Sequence, residues 1–301
     1  MKLSFRVKRL AVLGLTLFIT AYLFYRVYSE ASEIHISPSD LLSVYTAVAV
    51  ALGVLGYLVY TAAWYIYLRG VSNADFRRVL LANLSGTYLA FSLSTAVGTL
   101  VKVKFIKAGY FQVLATTLME ISTEFLTGFA MVFVLTGNPL ALAVVVLIAL
   151  AFVADTHVYR LLSGVFERLG RGSDSFREFY LGWHAAKSDP KRVAVGMLLG
   201  SLLVLINAAM LGSVAMIFGV RIGFVSLLKA ILYSEFLGGA LGTPGGLGGN
   251  ELGILMAIGR SGLSVVIAFF FKFLNQYAFA IVGAAAFYRL VMREVGTGKD
   301  L

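Results

Sequence analysis

Glu120, Glu124, Lys229, Glu235, Glu251 and Lys272 each interrupt a long hydrophobic run, and these are the residues whose type and setting could do chemistry. Glu120 and Glu124 are four positions apart, so on a helix they lie one turn from each other on one face. Gln112, Thr116, Thr123 and Thr127, at spacings of three and four, extend that face into a polar stripe. Two carboxylates this close repel when both are ionised, which favours their sharing a proton. Charges in an apolar setting must face protein or water, so their roles are to bind a cation, carry a proton or answer an opposite charge. The plainer reading is a structural ion pair with a basic residue elsewhere in the bundle. Lys272, Asn275 and Gln276 form a second short polar patch that could supply it. Glu235 is a candidate of the same kind, whereas Lys229 can snorkel outward.

The strongest local signal is the stretch 238–253, GGALGTPGGLGGNELG, in which eight glycines, a proline and an asparagine interrupt an apolar context. Such a sequence cannot run as one regular helix, and bare backbone in lipid is tolerated only where it is buried or lines a wet cavity. The spacing predicts a broken-helix tip at which Pro244, Gly245, Gly246, Gly248, Asn250 and Glu251 present N–H groups and a helix N-terminus to a polar headgroup. Glycine used only for close helix packing is the bland alternative, but it selects neither the proline nor the Asn-Glu pair. No GxxxxGK[ST] loop is present. Lys102, Lys104 and Lys107 follow another apolar run at once and either hold a lipid phosphate or simply fix topology.

The chain has no cysteine, which excludes disulfides, thiolate nucleophiles and Cys-ligated metals. Its three histidines, His35, His157 and His184, fall in loops without ligand spacing. With no Ser/His/Asp set and no metal box, neither an enzyme nor a cofactor is expected. An integral-membrane enzyme using Glu120 and Glu124 as acid and base is the minor alternative.

These residues need elements to hold them. Of 301 residues, 59% are hydrophobic and 13% charged, with a mean hydropathy of +0.89. Such a chain is built for a bilayer rather than for water. The net charge of +10 would suit nucleic acid only if its basic residues shared an accessible surface, and here they flank the apolar runs. Runs near the roughly 20 residues a crossing needs occur at 10–25, 41–68, 79–101, 125–154 and 193–220, and interrupted ones at 222–259 and 261–288. A cleavable signal peptide competes for 10–25, but Arg26 and the bulky residues near Ser29 make a poor cleavage site.

Charge decides the topology. If 79–101 crossed, Lys102, Lys104, Lys107 and the basic loop 155–192 would all lie outside, against the positive-inside bias. A re-entrant hairpin turning within 92–99 restores the balance. Spans at 10–25, 41–68, 108–135, 140–154, 193–220 and 262–288 then make six full crossings with both termini cytoplasmic. A second hairpin, 222–259, enters from outside, and the loop 155–192 carries one amphipathic interfacial helix. Residues 41–136 and 193–288 form two blocks of 96 residues with opposite orientation, an inverted-topology repeat with an offset of 152. That offset maps Lys272 onto Glu120 and Gln276 onto Glu124, so a Glu120–Lys272 contact across the pseudo-twofold is expected. The predicted fold is an all-α polytopic membrane protein of six transmembrane helices and two re-entrant helical hairpins.

The segment TPGGLGGNE at 243–251 resembles the PGG[IL]GxxE signature of the flippase-like transmembrane region of the lysylphosphatidylglycerol synthase family. The upstream STAVGTLVKVKFIKAG at 94–109 is similar to that family's first motif, with Thr99 where Glu is frequent and Lys102 in place of Arg. Glu120 matches the acidic residue of the next span, followed here by Ile121 rather than Arg. The resemblance implies the lipid-translocating part without the soluble aminoacyl-transferase domain.

The function expected is a flippase that moves a polar, phosphate-bearing or polyprenyl-phosphate-linked lipid between leaflets of the cell membrane without an ATPase. The hairpin tips with Lys102 and Lys104 would bind phosphate, Glu120, Glu124, Lys272 and Gln276 would line the path, and Glu235 and Glu251 would take a cation or a proton. An ion-coupled carrier of a small soluble substrate is one alternative, and a non-catalytic partner of a lipid-modifying enzyme or glycosyltransferase is the other. Partners expected are membrane lipids, such an enzyme and, in a homodimer, a second copy; nucleic acid is not expected.

Overall fold

The structure, a computed structural model, describes residues 42–169, 172–241, 244–246, 248–259 and 262–296, and all its regular elements are helical. The predicted span 10–25 and the acidic loop after it lie outside these residues. Among the described residues, four stretches are long and apolar enough to cross a bilayer: α1 (Val44–Leu68), α4 (Tyr110–Thr136), α8 (Pro190–Ile217), and the run Gly262–Met292 formed by α11 (Gly262–Lys272), a π-helical turn (Phe273–Tyr277) and most of α12 (Ala278–Gly296). At 1.5 Å per residue each exceeds the roughly 30 Å of hydrocarbon. Large apolar side chains such as Val54, Leu55, Leu58, Leu147 and Leu198 stand exposed on the outside of the bundle. In water that surface would drive aggregation, whereas in lipid it costs nothing. The chain is a multi-pass α-helical membrane protein.

Local chemistry sets the helix boundaries. Ser43 caps α1 by accepting the N–H of Thr46, and Asp189 caps α8 just ahead of Pro190, whose missing N–H is harmless at the first position. Helix α4 ends at Gly137 in the left-handed region, φ 65°, and Asn138-Pro139 immediately starts α5 (Pro139–Val153).

Helix α5 departs from the expected full span. It has 15 residues, about 22 Å, and a 72° bend leads directly into α6 (Asp155–Leu169). The physical reason is Asp155: its carboxylate accepts the N–H of Thr156 and forms a 2.6 Å ion pair with Lys187, which ends the apolar run before it can cross alone. The loop expected to hold one amphipathic helix contains two. Helix α6 leaves Leu161 and Val165 exposed, while α7 (Ser173–Lys187) folds back onto α4, with Gly182 against the backbone of Gln112.

Two helical hairpins complete the frame. The first is α2 (Phe76–Ser92) and α3 (Thr95–Lys104), broken at Leu93 and restarted by Ser94, which accepts the N–H of Val97. Its arms run antiparallel in close contact: a Cβ on Gly98 would lie within 2.3 Å of the Gly86 carbonyl oxygen. The second is α9 (Phe224–Leu241) and α10 (Gly249–Ile258), joined through the short turn Pro244–Gly246. Its arms approach through Gly253, packed on the backbone of Tyr233 and Ser234. Helix α1 packs along α8 through Gly53 and Gly56, and α2 packs along α12, where Gly283 sits under the Leu84 carbonyl.

Candidate functional site

The tips of the two hairpins meet. Phe91, one residue before the end of α2, lays its ring over Gly245, where a Cβ would come within 2.5 Å of it. Gly245 adopts φ 58°, so both its conformation and its lack of a side chain make this contact. The Tyr277 ring stands edge-on to Phe91 at 4.3 Å and the Lys272 Nζ lies 5.9 Å from it, so the first hairpin's tip, the second hairpin's tip and the π-helical turn converge at one place. A π-turn at Asn275 and Gln276 was not legible in the sequence; such turns break the i→i−4 ladder and recur at functional sites.

On one side of this junction Lys102, on α3, is buried. Its ammonium donates to the Tyr60 hydroxyl at 3.0 Å and sits 4.4 Å from the centre of the Trp64 ring. Tyr60 and Trp64, four apart on α1, form an aromatic wall against which a cation keeps part of its stabilisation without water. Glu120, on α4, lies within electrostatic range of Lys102, is 1% exposed, and has no hydrogen-bond partner on either carboxyl oxygen. Buried polar atoms without partners are rare and costly, and they mark sites built for something other than stability.

One turn along α4, the Glu124 carboxyl meets that of Glu235 on α9. Asn207, on α8, donates to Glu235 at 3.5 Å. Consecutive turns hold the Glu120 and Glu124 carboxyls on one face of α4, and the crossing of α4 with α9 brings Glu235 to Glu124 as well.

On the other side of the junction, Lys272 donates to Glu251 Oε1 at 2.7 Å, and Glu251 Oε2 accepts the N–H of Gly248 at 2.7 Å. Two expectations change. The Glu120–Lys272 contact does not form; each charge is answered from the hairpin arm preceding it, Lys102 for Glu120 and Glu251 for Lys272. The first hairpin's second arm packs against α4 and that of the second hairpin against α11, which sets each charge beside its partner. The N-terminus of α10, expected to face a headgroup, is capped by its own Glu251.

The remaining predicted residues divide. Asn250 donates to the Gly245 carbonyl at 3.3 Å and to Gln276 Oε1 at 3.4 Å, linking the tip to the π-turn. Gly246, at φ 68°, leaves room for the Asn250 side chain, while Pro244 is half-buried and Gly248 exposed. Glu235, Asn250, Glu251, Lys272, Asn275 and Gln276 line one pocket together with Ile231, Ser234, Ile254, Ala268 and Phe271. Lys104 is exposed and outside both clusters, because two residues along α3 turn it away from Lys102. Thr123 and Thr127 donate to carbonyls of their own helix and present no free donor, and Thr116 both bonds the Val113 carbonyl and accepts from Trp64. Sequence reading missed Tyr60, Trp64 and Asn207; a lone asparagine within an otherwise apolar span was the available signal for the last.

No protein-family model, no curated protein and no solved structure matches the chain.

Proposed function

We propose that this protein is a lipid translocase of the cell membrane that moves a polar or phosphate-bearing lipid, a phospholipid or a polyprenyl-phosphate-linked one, between leaflets without an ATPase. One observation carries the reading: in each hairpin the second arm bears a charge answered by a charge on the next span, Lys102 with Glu120 and Glu251 with Lys272, and the two hairpin tips abut between them. Charges are expensive inside apolar helices and are retained where a polar group must pass. The signs are reversed between the two pairs, which suits a headgroup carrying a phosphate and a polar or cationic part.

In this reading the hairpins are re-entrant, residues 41–136 and 193–288 are halves of an inverted repeat, both termini are cytoplasmic, and 10–25 together with α5, continued through its 72° bend into α6, brings the crossings to six. The close approach of Gly86 to Gly98 and of Gly238 to Asn250 supports the repeat, since both members of the second pair lie 152 residues beyond the first. The resemblance of 94–109 and 243–251 to the flippase-like region of the lysylphosphatidylglycerol synthase family points the same way. A lipid-modifying enzyme or glycosyltransferase would be its partner, and a homodimer is compatible with the exposed apolar faces.

The test is a vesicle assay in which a headgroup-labelled phospholipid is quenched from one side, comparing wild type with Glu120→Gln and Gly246→Leu. Loss of translocation in both variants is expected. Equal rates for all three would overturn the site, and uptake of a water-soluble tracer without lipid movement would favour an ion-coupled carrier.

A further inference from the structure

We propose that Glu124 and Glu235 form a binding site for one exchangeable proton, and that this site couples the translocation proposed above to a proton gradient. The inference rests on that reading for its role, but the site itself stands on separate geometry.

Helices α4 and α9 cross antiparallel where three contacts fall in register. Gly128 lies under Leu232, whose Cδ2 would be 2.5 Å from a Cβ there; Phe125 stands edge-on to Phe236 at 6.5 Å; and next to these rings in sequence on both helices Glu124 meets Glu235. The absence of a side chain at Gly128 lets the helices come close together. Two carboxyls in contact in an apolar crossing are held together by one proton: one O–H donates to the other carboxylate, and the pair carries a single negative charge. Asn207 fixes Glu235 from a third helix through its amide N–H, while its own Oδ1 stays buried and unpartnered.

The groups facing the pair come from every neighbouring element. Tyr60 stands on α1, Glu120 on α4 and Asn207 on α8; Glu251 on α10 and Lys272 on α11 line the same pocket as Glu235; and Lys102 on α3 answers Glu120. Glu120 is the second indication of a ligand, because both its oxygens are buried and unpartnered one turn from the pair. With one proton on the pair, the charges of Lys102, Glu120, Lys272, Glu251 and the pair sum to one negative. Release of the proton to water breaks the O–H bond and leaves two adjacent carboxylates, whose repulsion pushes α4 and α9 apart; uptake restores the bond and closes the crossing. Movement of one hairpin arm is thereby tied to the movement of one proton.

The experiment uses dicyclohexylcarbodiimide, which enters membranes and adds to protonated carboxyls in apolar surroundings, on the full chain in lipid vesicles, followed by mass mapping of the peptides carrying residues 124 and 235. About one adduct per chain is expected on Glu124 or Glu235, falling as the pH is raised and unaffected by added sodium ion. The Glu124→Gln/Glu235→Gln double variant, checked for folding by size exclusion, should lose the adduct and the dependence of lipid movement on an imposed pH gradient. Absence of an adduct at every pH in folded wild type overturns the site. Protection by sodium ion at constant pH overturns it as well, by assigning the pair to a metal cation. An adduct with no lipid movement in wild type would leave the proton site standing and overturn the translocase reading instead.

Discussion

The ammonium of Lys272 lies 2.7 Å from Oε1 of Glu251, while the other oxygen of the same carboxylate caps the N-terminus of α10 at Gly248. One side chain therefore closes the hairpin on itself and fastens it to the span that follows. The Lys272 side chain is 2% exposed and that of Glu251 20%, so losing either leaves its partner in a poorer environment by different amounts.

Glu251→Gln should destabilise more than Lys272→Met. The first removes the charge that answers a buried ammonium and weakens the cap, whereas the second leaves Glu251 still bonded to Gly248. Removing one partner of a buried pair costs about 3 to 5 kcal/mol, and the double variant should recover part of that cost. Thermal unfolding of the detergent-solubilised protein, read for both single variants and the double, checks this; strictly additive losses would mean that the pair is not coupled.

Gly98→Ala should loosen the first hairpin. Its new methyl would overlap the Gly86 carbonyl and Ala90, an overpacking that costs about 1 to 3 kcal/mol. Gly239→Ala, a change within α9 with nothing within 4 Å of the added carbon, should instead be neutral or stabilising by up to about 1 kcal/mol, since alanine is the better helix former. Comparing the two melting temperatures separates close packing from helix propensity.

Asn250→Ala should release the second hairpin's tip from the π-turn. Both amide donations are lost and the Gly245 carbonyl and Gln276 lose a partner, at a cost of about 1 to 3 kcal/mol. Hydrogen exchange should accelerate at residues 244–250 while α1 and α8 stay protected; unchanged exchange at the tip would show that Phe91 packing alone holds it.

Topology can be read with single cysteines, because the chain has none of its own. Reporters at Asn73 and Ser173 should react with an impermeant maleimide from one side and a reporter at Gly223 from the other. Finding Asn73 and Ser173 on opposite sides would mean that either the first hairpin crosses the membrane or the bent pair α5–α6 does not.

Much of this architecture is legible in the sequence. Hydropathy is a property of consecutive residues, so the spans α1, α4 and α8 follow from it, and Ser94 and Pro244 mark where the two hairpins break because capping and proline chemistry act within a turn. The same locality explains the misreadings at α5 and in the 155–192 loop. Asp155 stops α5 short through an ion pair to Lys187, and α7 docks on Gln112, contacts between residues far apart in sequence that no window of the chain contains.

The sequence by itself determined that this is an α-helical membrane protein and marked Glu120, Glu124, Lys229, Glu235, Glu251 and Lys272 as charges within apolar runs, whereas the burial of Lys102 came only with the tertiary structure. Only the tertiary structure decided who answers whom. Lys102 faces Glu120, Glu235 meets Glu124 and Glu251 holds Lys272, because the partner of a buried charge is set by where helices cross, and crossings are fixed by small residues such as Gly98, Gly128 and Gly253 that let backbones come close.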